Sequence, residues 1–128
     1  VLDGRGFTVP GYENGHFLGP TVLDDVPLDA PVYTEEVFGP VLAIVHADTY
    51  EEALKIVNAQ PFGNGSAIFT NDGGVARRFT LDVEAGMVGV NVPIPTPVAF
   101  YSFGGWKESL LGDTHIHGSR RRYLLHPC

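Results

Sequence analysis

The sequence has little cysteine, no long apolar run and few basic residues, and each shortage narrows what the protein can be. The single cysteine, Cys128, excludes an internal disulfide and fits a protein kept in the reducing cytoplasm. No apolar stretch approaches the ~20 residues of a membrane-spanning helix, and the N-terminus has no basic-then-apolar signal region. We therefore expect a cytoplasmic protein without a membrane partner.

Positive charge is scarce as well. The chain has 8 Lys and Arg residues against 15 Asp and Glu residues, so its net charge is −7. Nucleic acids are bound through basic surfaces, and this balance predicts no nucleic-acid partner. The length of 128 residues, with 44% apolar and 18% charged residues, is typical of one folded domain with a single core.

Glycine and proline divide the chain into short units in which strand and helix patterns alternate. Strand patterns are TVLDDV (21–26), PVLAIVHA (40–47), GSAIFT (65–70) and GMVGVNV (86–92). The continuous apolar run of the second is typical of a strand that is covered on both faces. Strands that alternate with helices predict an α/β fold with a mostly parallel sheet and flanking helices.

Two helices are predicted between these strands. Thr49 and Glu52 form a capping box at the start of the first helix, and Pro61 ends it. Asp72 caps the second helix. The inward-facing residues are expected to be Ala53, Leu54, Ile56 and Val57 in the first helix and Val75, Ala76, Phe79 and Val83 in the second.

Regular patterns end after Val92. Residues 93–118 carry three prolines, paired glycines and several aromatic and histidine residues. A loop of this length is unusual in a compact domain and is more often functional than idle. The prolines stiffen it, as the wall of a pocket requires.

Two adjacent carboxylates, Glu35 and Glu36, precede a Phe-Gly-Pro turn, and two interpretations of them are open. The ordinary one is a solvated turn before a strand. In the other, one carboxylate accepts hydrogen bonds from the two neighbouring hydroxyls of a ribose, because it has two acceptor oxygens. Phe38, two positions on, points to the same side in an extended chain and could pack against a flat ring, as a nucleotide would require.

A metal site is a weaker alternative in the later loop. His115 and His117 share a face if they lie in a strand, and Asp113, His16 or His126 could complete a zinc site. A tight site needs three or four ligands, so we interpret this segment as an ordinary loop and predict no metal.

Several motifs resemble the aldehyde dehydrogenase superfamily, and they follow in that family's order: GPTVLDDV, EEVFGPV, FGNGSAIFT, AGMVGVN and SFGGWKES. The stretches GYENGHFLGPTV, VGVNVPIPTPVAFYSF and GDTHIHG are most similar to its coenzyme-A-acylating methylmalonate-semialdehyde dehydrogenase branch. The resemblance runs from about residue 1 to Gly118. It implies the C-terminal part of an aldehyde dehydrogenase catalytic domain.

The resemblance implies NAD as cofactor, coenzyme A as co-substrate and a small aldehyde as substrate. By the same resemblance, Glu36 binds the nicotinamide-side ribose and Phe38 lies beside the nicotinamide. Phe103 lines the aldehyde pocket, and Asn91 has a positioning role there. Full-length members are expected to be homo-oligomers.

The family's mechanism begins with attack of a cysteine thiolate on the aldehyde. In the family that cysteine precedes the segment matched here, and Cys128 stands in no matching context. We therefore assign no catalytic residue and expect the 128-residue chain to be inactive alone. The alternative is a non-catalytic protein that keeps the fold and binds a nucleotide or a partner subunit.

The resemblance stops within one residue of Gly118, where the composition turns basic. One legal choice of codons for residues 119–128, read with the first base dropped, gives Pro-Glu-Gly-Val-Thr-Phe-Tyr-Thr-Arg, which resembles the family's continuation. We interpret residues 1–118 as a partial catalytic domain and residues 119–128 as an aberrant, frame-shifted tail. The tail is expected to be irregular and exposed.

Overall fold

The computed structural model describes residues 1–96 and 104–110, and the chain divides into two compact units, Val1–Ala53 and Leu54–Cys128. The first unit contains β1 (Thr21–Leu23), α1 (Pro31–Thr34), β2 (Val41–Ala43) and the start of α2 (Tyr50–Ala59). The second contains the rest of α2, β3 (Phe62–Gly63), β4 (Gly65–Ile68), α3 (Gly73–Asp82), β5 (Met87–Val90) and β6 (Trp106–Lys107). No helix in the described ranges is long and apolar enough to cross a membrane.

The first unit is built on a parallel strand pair. β1 and β2 run in register from Thr21 opposite Val41 to Leu23 opposite Ala43. The pair continues past its ends, since the Ile44 amide donates to the Leu23 carbonyl at 2.8 Å. This parallel pairing confirms the predicted strand direction.

The prediction that β2 is covered on both faces is wrong for this chain. The strand is three residues long, and Leu42 at its centre is 58% exposed, whereas Val41 and Ala43 are half-buried. Successive strand residues point to opposite faces, so the face that bears Leu42 is the less covered one, although Ile44 just beyond the strand is half-buried. Val26, at 8% exposure, is the one buried apolar side chain in residues 1–53.

A one-turn helix, α1, precedes the Glu35–Glu36 pair, and the sequence analysis did not predict it. Pro31 stands at the start of α1, where its fixed φ suits a helix and its missing amide is not needed. The helix ends at Glu35, whose backbone is extended and whose amide donates to the Pro31 carbonyl at 2.8 Å. The Ala-Pro pair was the sequence signal for this helix.

Helix α2 begins with a capping box, one residue displaced from the predicted one. The Thr49 hydroxyl accepts from the Glu52 amide at 3.1 Å, as expected. The Glu52 carboxylate, however, accepts from the Asp48 amide at 2.9 Å rather than from that of Thr49. The helix ends at Ala59, two residues before Pro61, but none of its residues is fully buried and both Ala53 and Val57 are exposed.

The second unit contains a strand–helix–strand arrangement around a small core. β4 and β5 are parallel, from Gly65 opposite Met87 to Ile68 opposite Val90. Between them, α3 is capped as predicted, because Asp72 Oδ1 accepts from the Gly74 and Val75 amides at 2.7 and 3.0 Å. These bonds, that from Val75 first, lower the pKa of Asp72. The core residues are Phe79, Val83 and Ala85.

A third strand pair, which the sequence analysis did not predict, brings a distant segment to this unit. β3 and β6 are antiparallel, with Phe62 opposite Lys107 and Gly63 opposite Trp106. A side chain at Gly63 would place its Cβ 2.5 Å from the Glu84 carbonyl oxygen, so only glycine permits this approach.

Candidate functional site

The predicted cofactor-binding residues lie on one exposed segment between α1 and β2. Glu36 and its neighbours up to Pro40 are all exposed. The segment contains no strand pairing, and it turns at Phe38, where the Gly39 amide donates to the Val37 carbonyl at 2.9 Å. Glu36 therefore lies on an open surface rather than in the core.

The Glu36 carboxylate has no hydrogen-bond or ion-pair partner in residues 1–96 and 104–110. Both oxygens are therefore available as acceptors, and a pair of neighbouring hydroxyls matches two such oxygens. An ionised carboxylate at a solvated position also needs no compensating charge from the protein. This chemistry fits the ribose of a dinucleotide.

Phe38 presents its ring almost entirely to solvent and is 98% exposed. The expectation that Phe38 and Glu36 share a side of an extended chain is wrong, because the three-residue turn centred on Phe38 breaks the two-residue alternation. A phenyl ring left fully in water is unfavourable by the apolar area that it fails to bury. Such a ring is therefore suited to pack against a flat partner.

Asn91 lies at the end of β5 in the second unit, where it holds the end of β4. Its Oδ1 accepts from the Thr70 amide at 3.0 Å and its Nδ2 donates to the Thr70 carbonyl at 3.1 Å. The side chain thus adds a rung to the β4–β5 pair. Asn91 has a φ of 57°, a left-handed conformation that Asn adopts more readily than most residues.

A polar junction in the second unit joins the end of α2, the segment after α3 and strand β6. The sequence analysis gave its residues no role. The Asn58 amide group donates to the Asp82 carbonyl and accepts from the Glu84 amide, each at 2.9 Å. Lys107 Nζ lies 2.8 Å from a Glu84 carboxylate oxygen and donates to the Asn58 and Gln60 carbonyls at the end of α2. The sequence signal was a Lys beside Trp106 in a segment otherwise rich in glycine.

A second polar pair lies just beyond the ends of β1 and β2. His46 Nε2 forms a hydrogen bond of 2.8 Å with Asp24 Oδ1. This bond, followed by that from the Asp25 amide, holds the pKa of Asp24 below its usual value. Both side chains are more than half exposed, so the pair is a surface interaction.

Several predicted residues lie outside the described part of the chain. Phe103, expected in the aldehyde pocket, is one of them, as are His115, His117 and His126 of the weaker metal alternative and the whole of residues 119–128. Glu36 and Phe38 come together on one segment of the first unit, and Asn91 stands by itself in the second. Their roles toward a cofactor or substrate stay predictions.

The fold is part of a parallel α/β domain with an exposed carboxylate and an exposed aromatic ring on one segment. Comparison with known families identifies it further: the model of the aldehyde dehydrogenase family matches residues 1–125. The chain belongs to the aldehyde dehydrogenase family.

Individual relatives place the chain near one branch of that family. It is 54% identical over 118 residues to malonate-semialdehyde dehydrogenase of Pseudomonas aeruginosa, which covers 92% of this chain and 24% of that one. It is 51% identical over 120 residues to the acylating, mitochondrial methylmalonate-semialdehyde/malonate-semialdehyde dehydrogenase of Bos taurus, covering 94% of this chain and 22% of that one.

A solved structure agrees with these relatives. The methylmalonate-semialdehyde dehydrogenase of Oceanimonas doudoroffii superposes with a TM-score of 0.86 at 50% identity, covering 90% of this chain and 24% of that one. The chain therefore spans about a quarter of the length of the relatives that it matches.

Proposed function

We propose that this chain is the C-terminal part of the catalytic domain of an NAD-dependent, coenzyme-A-acylating (methyl)malonate-semialdehyde dehydrogenase. Such an enzyme oxidises a small aldehyde to an acyl-coenzyme A. The observation that carries the proposal is the exposed Glu36 carboxylate, two residues from the solvent-exposed Phe38 ring and without a hydrogen-bond or ion-pair partner among the described residues. The names of the relatives at 54% and 51% identity support the aldehyde and the acylation.

The chain's own residues then have binding and positioning roles. NAD supplies the hydride acceptor when it is bound. The Glu36 carboxylate accepts hydrogen bonds from the ribose on the nicotinamide side, and the Phe38 ring lies against the nicotinamide. Asn91 fixes the end of β5 before the predicted pocket segment that contains Phe103.

A grafted enzyme tests the proposal, because the 128-residue chain is expected to be inactive alone. We define the grafted enzyme as P. aeruginosa malonate-semialdehyde dehydrogenase in which residues 1–118 of this chain replace the matching segment. It should form NADH from malonate semialdehyde in the presence of coenzyme A. A folded grafted enzyme without this activity would contradict the proposed reaction.

The role of Glu36 is tested in the same enzyme by Glu36→Gln. This change removes the charge of the acceptor and should raise the KM for NAD about tenfold, because a hydrogen bond to a charged group is worth about 1.5–3 kcal/mol. Glu35→Gln is the matched control, since Glu35 is an exposed neighbour of the same chemistry. Equal effects of the two substitutions would remove the assigned role of Glu36.

The alternative is a non-catalytic protein that retains the fold and binds a nucleotide or a partner. The chain's single cysteine at position 128, outside any family context, favours it for the 128-residue chain. NAD binding by the isolated chain separates the two proposals. Under the first proposal, the chain alone should form no NADH and should bind NAD very weakly. Tight NAD binding by the isolated chain would favour the second.

Two further expectations stay predictions. A cytoplasmic location follows from the sequence, although the bovine relative carries the word mitochondrial in its name. Assembly into a homo-oligomer follows only from the family resemblance.

A further inference from the structure

The direction of the Phe38 ring is not set by packing within residues 1–96 and 104–110. The residue is 98% exposed, so no neighbouring side chain in these ranges holds the ring. A ring that binds a flat ligand nevertheless gains affinity if it faces the right way beforehand, because freedom that is lost on binding costs affinity. In this part of the chain, the backbone that carries Phe38 therefore has to set the direction of the ring.

Two successive three-residue turns form this backbone. The Gly39 amide donates to the Val37 carbonyl at 2.9 Å, which places Phe38 at the centre of the first turn. The Val41 amide donates to the Gly39 carbonyl at 2.8 Å, which places Pro40 at the centre of the second. Neither central residue has a positive φ, so both turns are inverse γ-turns, with a central φ of about −75°. Gly39 belongs to both turns, and a restraint on the second turn therefore restrains the first.

Pro40 is suited to the centre of the second turn. Its ring holds φ at about −65°, which is close to the value that an inverse γ-turn requires. Gly39 stands before a proline and is therefore restricted to extended conformations. The Pro40 carbonyl accepts from the Thr21 amide at 2.8 Å, which attaches the second turn to the start of β1. One proline thus restrains two backbone positions next to Phe38 and connects them to a strand.

We propose that Pro40 is a positioning residue for NAD binding: through the two turns it holds the Phe38 ring in the direction that receives the nicotinamide. The proposal rests on the proposed function, from which the ligand of Phe38 is taken. Pro40 acts through the backbone and requires no contact of its own with the ligand. Without the proline, the two turns form in only a fraction of the molecules, and the affinity for NAD falls in proportion to that fraction.

Calorimetric titration of the grafted enzyme with NAD tests the proposal without relying on the reaction. Pro40→Ala should raise the Kd for NAD about two- to fivefold, the factor that corresponds to the backbone freedom gained when a proline is removed. Because Pro40 is exposed, the substitution opens no cavity in a core. Pro27→Ala is the matched control and should leave the Kd unchanged. Pro27 is also exposed, lies in the same unit, and its carbonyl likewise accepts one backbone hydrogen bond, from the Ala30 amide.

A double substitution separates positioning from a purely structural role. In the Phe38→Ala background, Pro40→Ala should not raise the Kd further, because the ring on which Pro40 acts is gone. An equal rise with and without the Phe38 ring would overturn the proposal. A rise in Pro27→Ala as large as that in Pro40→Ala would overturn it as well.

Hydrogen exchange of the grafted enzyme without NAD tests the turns themselves. The Val41 amide should exchange about twofold faster or more in Pro40→Ala, because the turn that protects it opens more often. Unchanged exchange at Val41 would overturn the proposal. A grafted enzyme that binds NAD but forms no NADH counts against the proposed reaction alone, and the comparison of Kd values still decides the role of Pro40. A folded grafted enzyme that does not bind NAD would overturn both.

Discussion

Asn91 shows how one residue can serve the fold at a position where the family resemblance places a pocket residue. Its amide pairs with both backbone groups of Thr70, and its φ of 57° turns the chain out of β5. These two features require a side chain that has both a hydrogen-bond donor and an acceptor, as a peptide group does, and a residue that tolerates a left-handed backbone conformation. Asn meets both requirements, so its presence is explained before any substrate is considered.

Substitution of Asn91 separates these two contributions. Asn91→Ala loses two hydrogen bonds and places at positive φ a residue that tolerates this conformation less well than Asn, so the free energy of unfolding should fall by about 2–4 kcal/mol. Asn91→Gly loses the bonds but relieves the backbone, and should be about 1 kcal/mol less destabilising than Asn91→Ala. Urea unfolding measures both, with Asn71→Ala as the exposed control. Equal losses for Ala and Gly would show that the left-handed backbone makes no difference.

Asp3 offers a direct check of local electrostatics. The Arg5 side chain bonds to both carboxylate oxygens of Asp3 at 2.6–3.0 Å and, as the main cause, lowers the pKa of Asp3 to about 2. Because the folded pKa lies below the ordinary value of 3.8, the stabilisation from this pair is present above pH 3.8 and is lost as the pH falls toward 2. Both side chains are exposed, so the effect on stability is small.

The prediction for Asp3 is a carboxyl titration midpoint near 2 in an NMR pH series. Arg5→Gln should return this midpoint toward 3.8, because the charged donor is gone. A midpoint that Arg5→Gln does not move would contradict the assigned cause.

At the scale of elements, the sequence predicted the helices and strands whose capping residues and apolar spacing agree with their burial in the structure. Helix α3 appears with its Asp72 cap and with Phe79 and Val83 buried, because cap, spacing and core all favour one answer. Helix α1 was missed since one turn is too short to show periodicity. The antiparallel β3–β6 pair was missed because it joins residues more than 40 positions apart, which no local pattern records.

Lys107 is the residue on which the β6 segment most depends. Its side chain is 22% exposed, its φ is 55°, and its Nζ bonds to Glu84 and to two carbonyls at the end of α2. A cation near the C-terminal carbonyls of a helix is also favoured by the helix dipole. The junction therefore stabilises β6 against α2 by charge as well as by backbone pairing.

Lys107→Met keeps the length of the side chain and removes its donors. We expect a loss of about 1–3 kcal/mol in the free energy of unfolding, together with faster hydrogen exchange at the Glu108 amide, which donates to the Pro61 carbonyl. Lys55→Met on the exposed side of α2 is the matched control and should be within about 0.5 kcal/mol of the unaltered chain. Unchanged exchange at Glu108 in Lys107→Met would show that the junction does not hold β6.

At the scale of the whole molecule, strand direction and fold class were predictable, whereas the extent of burial was not. The alternation of strands and helices predicted parallel pairing, and both β1–β2 and β4–β5 are parallel. Burial of β2 was overestimated, because an apolar run records what a strand packs against in a complete fold, and the chain spans about a quarter of its relatives. In the loop after Val92, which was predicted to form the wall of a pocket, Ile94 is 74% exposed, and residues 97–103 lie outside the described ranges.

In the candidate site, too, some features were predictable from the sequence and others were not. Both interpretations of the Glu35–Glu36 pair, a solvated turn and a ribose-binding carboxylate, place Glu36 at the surface, and it is exposed. The turn at Phe38 was not predictable, because it depends on the hydrogen bond between Gly39 and Val37 rather than on residue type. The identity of the ligand was suggested by chemistry and by family resemblance together, and neither feature alone was sufficient.

The central claim is that Glu36 and Phe38 form part of the NAD-binding wall of an aldehyde dehydrogenase. A crystal structure of the grafted enzyme with NAD tests it most directly. The account predicts that the Glu36 carboxylate lies within hydrogen-bond distance of both hydroxyls of the nicotinamide-side ribose, about 2.5–3.0 Å, with the Phe38 ring against the nicotinamide. A bound NAD whose ribose hydroxyls are held by other residues, with Glu36 still in solvent, would contradict it.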